Sequence, residues 1–196
     1  MAEWSKTIAY LASQDAGARL AAAVELYGAG CALGEAALTR WRTDKEFAAL
    51  LAGPPTAGIA VQPNTFERIR AANGSPPLAE VPPDQEAMEF ELRFSSGPGE
   101  RGVAQLDILT TTPGGGGAIA SFLTKFGEGI QQVEYPVAQV DRAAQILGER
   151  FGQRPIYPQT RAGAGGTKVN FFLTTTPAGK KALIELVEVG EAGRRR

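Results

Sequence analysis

Apolar positions in the first fifty residues recur at helical spacing: Ile8, Leu11 and Ala12, then Leu20, Ala23, Val24 and Tyr27, with Phe47, Leu50 and Leu51 following Trp41. Side chains three and four apart share one helix face, so residues 1–52 are predicted helical, with Gly28, Gly30 and Gly34 punctuating the run. Pro54-Pro55 marks its end, because proline cannot donate the hydrogen bond a helix interior needs and restricts the residue before it. The texture then changes to short strands and turns. Residues 58–61 predict a strand, and Asn64, with Glu67 three positions on, predicts a capped short helix that Asn73-Gly74 stops. Strict alternation over residues 88–94 and an apolar run over 103–109 predict neighbouring antiparallel strands. Gly114 to Gly117 lead into one or two helical turns at 119–123.

The same order then repeats. Residues 130–137 predict a strand, and Val140, Ala144, Leu147 and Phe151 lie on one face of a helix that Gly152 ends. Pro155 to Pro158 and a Gly-rich loop follow, then strands over 168–173 and 182–189. Val61 and Val137, at the ends of the two first strands, are 76 residues apart, and Asp107 and Glu185, in the two last strands, are 78 apart. Offsets that agree so closely indicate a duplicated βαβββ unit. The recurring Leu-Thr-Thr-Thr-Pro at Leu109 and Leu173 has a different offset and reads as two similar turns.

Composition narrows the chemistry. The 196 residues suffice for a hydrophobic core, and 20 basic against 21 acidic residues leave no field that would attract nucleic acid or anionic lipid. The basic run Arg194-Arg195-Arg196 reads as a solvated end. One cysteine, Cys31, excludes an internal disulfide and a thiolate metal cluster, so a cytoplasmic location is expected. Glu3 and Lys6 flank Trp4, and Arg19, Glu25 and Glu35 break the Ala-rich stretch, so neither a secretory leader nor a membrane span is expected. The absence of histidine removes Ser-His-Asp and Cys-His catalysis and HExxH zinc sites.

The stretches at 127–137, 163–173 and 183–188 resemble the second module of methylmalonyl-CoA epimerases, members of the vicinal oxygen chelate superfamily that includes glyoxalases and bleomycin-resistance proteins. The match runs over about residues 118–190, is weaker over 56–117, and gives residues 1–52 no counterpart. The resemblance implies an α+β fold: paired βαβββ modules at 55–125 and 128–190 in a curled mixed sheet, after a helical extension at 1–53 and before a tail at 191–196. It also implies a divalent metal held by one residue on the first and one on the last strand of each module. Those positions fall on Thr56 or its neighbour, Asp107, Gln132 and Glu185, whereas the family has histidine at the first and third.

Asp107, Gln132 and Glu185 are thus the expected metal set, suited to Mg²⁺, Mn²⁺ or Ca²⁺ and not to a tight zinc site. The expected cofactor is such a weakly bound cation or none. By resemblance Glu185 is one proton-transferring carboxylate, and the other falls in Asp84-Gln85-Glu86, on Asp84 or Glu86. Gln132 and Glu134, on one strand face, and Arg161, at the base of the Gly-rich loop, are the expected substrate contacts. Periodicity leaves open whether Glu185 and Asp107 point inward or to solvent. The Gly-rich loop lacks the Lys-Ser/Thr of a phosphate-binding loop and reads as a hairpin or lid.

Three functions are consistent with these readings. The first is a glyoxalase-like protein with a degenerate metal site that binds a small carboxylate or acyl ligand. The second is a metal-dependent isomerase or lyase using Glu185. The third is a non-catalytic subunit that docks on a partner, or on a second copy as a homodimer, through residues 1–52, whose apolar stripes need a covering surface.

Overall fold

The computed structural model describes residues 4–95 and 104–189; Glu3, Val103 and the Arg194–Arg196 run lie outside the described residues. The fold is α+β. In chain order the elements are α1 (Ser5–Tyr10), α2 (Ala16–Trp41), α3 (Lys45–Leu50), β1 (Thr56–Ala60), α4 (Pro63–Ala72), β2 (Ala87–Phe94) and β3 (Ala104–Thr111). They continue with α5 (Ala118–Phe126), β4 (Gly129–Val137), α6 (Val140–Phe151), β5 (Arg161–Ala162), β6 (Lys168–Thr175) and β7 (Lys181–Glu188). The chain divides into two compact units, Met1–Gly30 with Thr56–Gln131, and Cys31–Pro55 with Gln132–Arg196.

In the first unit the strands lie in the order β2, β3, β1. β3 runs antiparallel to β2 and parallel to β1, so Asp107 stands opposite Glu91 on one side and Gly58 on the other. Alternation gives this sheet two faces. Ile59, Phe90, Leu106 and Ile108 pack on one with Phe66 and Ile69 of α4 and with Ile8, Leu11, Ala23 and Leu26 from α1 and α2. On the other, Ala60 and Leu109 are covered by Ile119 and Leu123 of α5. The expected antiparallel pair is present, but α4 begins at Pro63, not with an Asn64 cap. Proline's fixed φ suits the first helical turn, and Gln62 occupies the cap without a side-chain hydrogen bond. Among the described residues two strands, not three, follow α4. Pro76, Pro77, Pro82 and Pro83 cannot donate to a ladder, and a bond from the Ala79 N–H to the Glu89 carbonyl, at 2.9 Å, ties that segment to β2.

In the second unit the order is β4, β7, β6, β5, with β4 parallel to β7 and the other neighbours antiparallel. Here the helix is followed by three strands, as the repeat predicts. Val133, Tyr135, Val137, Phe172, Ile184 and Leu186 form one face and pack against Val140, Ala143, Ile146 and Leu147 of α6 and against Leu38, Trp41 and Phe47. Trp41 meets Phe47 and Phe172 edge-on, with ring centroids 5.8 and 6.0 Å apart. The Asp44 side chain caps α3 by accepting from the Glu46 and Phe47 N–H groups. Arg150 pairs with Asp44 and Glu46 across to α6, which holds both carboxyls below their usual range; for Glu46 the larger cause is Arg142.

The glycines that punctuate the helical run do not interrupt it: α2 is continuous through Gly28, Gly30 and Gly34. A Cβ on Gly30 would lie 2.5 Å from that of Ala57, and one on Gly34 would overlap the Tyr135 hydroxyl and Val133. The missing side chains let the helix lie close against a strand within each unit, which outweighs the roughly 1 kcal/mol propensity cost of each glycine. Ile8, Leu11, Ala23, Leu26, Leu38, Trp41 and Phe47 of residues 1–52 are thus covered within this chain, while Val24 stays exposed.

Candidate functional site

The face of the second sheet turned away from α6 carries the expected polar set. Gln132, Glu134 and Pro136 alternate with the core-facing Val133, Tyr135 and Val137 on β4, while Leu183, Glu185 and Val187 alternate with Ile184 and Leu186 on β7. The parallel register sets Glu134 directly opposite Glu185. The Gln132 amide Nε2 donates to Glu134 Oε1 at 2.9 Å and to Glu185 Oε2 at 2.5 Å. Gln132 and Glu185 are only 6% and 8% exposed, so this open-face cluster is nonetheless shielded from water. The direction that periodicity left open for Glu185 is thereby settled by its neighbours.

The cluster brings together two carboxylates and one amide. The amide group turned toward the two carboxylates is a nitrogen that donates, whereas a hard cation there would need the amide oxygen. Among the described residues no group of three or more His, Cys, Asp or Glu could hold a metal ion. Asp107, the third expected ligand, belongs to the first unit, where Arg93 is its charged neighbour. The Glu91 carboxylate, bonded to Arg93 at 2.5 and 3.1 Å, is the main cause that raises the arginine's affinity for its proton, and Asp107 adds to it. Thr56 occupies the first strand with a hydroxyl as its only polar side-chain group.

The remaining expected residues lie elsewhere. Asp84 is exposed on a single 3₁₀ turn, Pro83–Gln85. Arg161 is on β5, two strands from Glu185, with its guanidinium 4.4 Å from the centre of the Tyr157 ring. One acid escaped the sequence reading. Glu89 sits on the same side of β2 as Glu91 and Arg93, opposite Leu109, and burial pushes its carboxyl up to about 7. Its place in the 88–94 alternation was the available signal, since it puts Glu89 on the polar side, but nothing local showed that α5 would close over that end of the sheet.

No protein-family model matches the chain, and no curated protein does. Solved structures do. A methylmalonyl-CoA epimerase from Mycobacterium tuberculosis is 30% identical over 73% of this chain and 91% of its own, with a TM-score of 0.56. A methylmalonyl-CoA epimerase in complex with methylmalonyl-CoA and NH4+ is 26% identical over 72% and 96%, also at 0.56. The fold is that of the methylmalonyl-CoA epimerases. A Streptomyces coelicolor epimerase variant in complex with 2-nitronate-propionyl-CoA gives the same 26%, 72%, 96% and 0.56.

Proposed function

We propose that the chain binds a small acyl compound of the acyl-thioester class on the face of β4 and β7 that presents Gln132, Glu134 and Glu185, with no chelate chemistry. The observation that carries this reading is the double donation from Gln132 to two carboxylates, one of them nine-tenths buried. Where the fold's relatives implied a cation, an amide here satisfies both acids from within the chain. That arrangement selects the ligand's orientation. Gln132 Nε2 is the donor the cluster offers, so a ligand's carbonyl oxygen competes with Glu134 and Glu185 for its N–H groups, while an anionic group is disfavoured beside the two carboxylates. The neighbouring structures support the ligand class, since two of them contain methylmalonyl-CoA or a CoA-bearing analogue. The single cysteine suits the reducing cytoplasm as the setting.

A second reading follows from the named activity of those neighbours. Glu185, buried and facing the ligand side, would take a proton from the carbon next to the carbonyl, while Gln132 would donate to the oxygen on which charge develops. One experiment separates the two: titration calorimetry with methylmalonyl-CoA, paired with proton NMR of its α-hydrogen in D2O, on the native chain and on Glu185→Gln. Binding without exchange supports the first reading. Exchange that disappears in Glu185→Gln supports the second, and failure to bind at millimolar ligand overturns both.

A further inference from the structure

The second unit contains a groove of about 790 Å³ on the other side of its sheet, between the flank of α6 and the segment that carries β5. Its floor includes Asn170, which is only 3% exposed. β5 is two residues long, so β6 runs past it with an unpaired edge. The chain satisfies that edge locally: the Phe171 N–H donates to Asn170 Oδ1 at 2.9 Å, and the Phe171 carbonyl accepts from the Ile156 N–H at 2.7 Å. This commits the Asn170 amide oxygen and leaves its Nδ2 as a double donor in the groove with no hydrogen-bond partner among the described residues. The nitrogen opens into the groove rather than being enclosed, so its two N–H groups are presented to whatever the groove holds.

The charges around it identify the acceptor. Arg161 and Lys168 line the groove together with Asp141, which accepts from the Thr160 hydroxyl, and Lys168 also lies 3.8 Å from the Glu188 carboxylate, so the two cations outnumber the one lining acid. We propose that this groove binds a small molecule bearing a carboxylate or phosphate, held by the Asn170 amide at the floor and by Arg161 and Lys168 at the rim. Planar guanidinium and compact ammonium groups both suit such oxyanions, and the amide adds a directional donor. The site is independent of the Gln132 cluster: Asn170 shares a face of β6 with the core residue Phe172, whereas Glu185 opens on the opposite face of the sheet.

The test is an NMR titration of the ¹⁵N-labelled full chain with inorganic phosphate and, in a parallel arm, with malonate. The expected result is a saturable shift of the Asn170 side-chain amide and of backbone amides in 159–168 with at least one probe, and the tighter probe identifies the oxyanion. Asn170→Asp keeps an acceptor for the Phe171 N–H but removes the donors and adds negative charge, so affinity should fall tenfold or more. Lys168→Ala should weaken binding several-fold, and Glu185→Gln should leave it unchanged. No saturable shift with either probe, or equal binding by native chain, Asn170→Asp and Lys168→Ala, would overturn the proposal. If Asn170→Asp does not fold, Lys168→Glu at its exposed position decides in its place.

Discussion

The two parallel strand pairs superimpose in sequence: moving Gly58 by 76 residues reaches Glu134, and moving Asp107 by 78 reaches Glu185, and in each unit those two residues stand opposite one another. The same backbone position is thus occupied by Gly–Asp in one copy and Glu–Glu in the other. Around Asp107 the compensating group is an arginine, itself paired to Glu91; around Glu185 it is a glutamine amide. A repeated register therefore does not repeat a site. The backbone ladder depends on N–H and C=O groups every residue carries, whereas charge balance on the open face depends on which side chains neighbour it.

The largest effect expected from breaking this comparison is at Gln132. Gln132→Leu removes the donor that Glu134 and Glu185 share and should cost about 3 kcal/mol in urea unfolding, since hydrogen bonds to charged groups contribute more than neutral ones. Thr56→Val, 76 residues earlier and joined to no comparable cluster, should stay within about 0.5 kcal/mol. Equal losses would mean that the two open faces are energetically alike.

The first unit has its own titrating acid. Glu89 binds its proton more tightly when folded, at about 7, than when unfolded, near the ordinary 4.5. Its contribution to stability is therefore complete below about 4.5 and is lost as the pH rises to about 7, on the order of 2–3 kcal/mol in all. Denaturation midpoints across that window should decline in the native chain and flatten in Glu89→Gln, while Glu185→Gln should keep the decline. A decline that survives Glu89→Gln would assign it to another group.

Smaller effects come from α2. Gly34→Ala overlaps Tyr135 and Val133 and should destabilise by ~1–3 kcal/mol. Gly28→Ala, whose Cβ meets nothing within 4 Å, should stabilise by about 0.5–1 kcal/mol, read as a rise in Tm. Matching signs at the two positions would show that propensity, not close packing, governs α2.

How much of this was legible beforehand depended on the range of the interaction. β2, β4, α6 and β7 were readable because alternation and the Val140–Phe151 spacing reflect burial on one face, a local periodic property. Gln132, Glu134 and Glu185 could be named from spacing and resemblance, but not bonded together, because the bond spans strands 53 residues apart in sequence. Glu89 and Asn170 were passed over for the same reason: the burial of one and the unpaired amide of the other arise where separate segments meet. Why α2 carries Gly30 and Gly34 was not legible, because the strands that pack against them lie far away in sequence.

The alternating pattern of strand and helix positions was enough to predict the α+β fold, because core-facing positions must repeat with the period of their element. Which acids meet, which amide is shared and which donor is left unpaired followed only once β4 lay beside β7 and α6 lay across β6. Those facts depend on angstrom-scale distances between residues that sequence order leaves far apart.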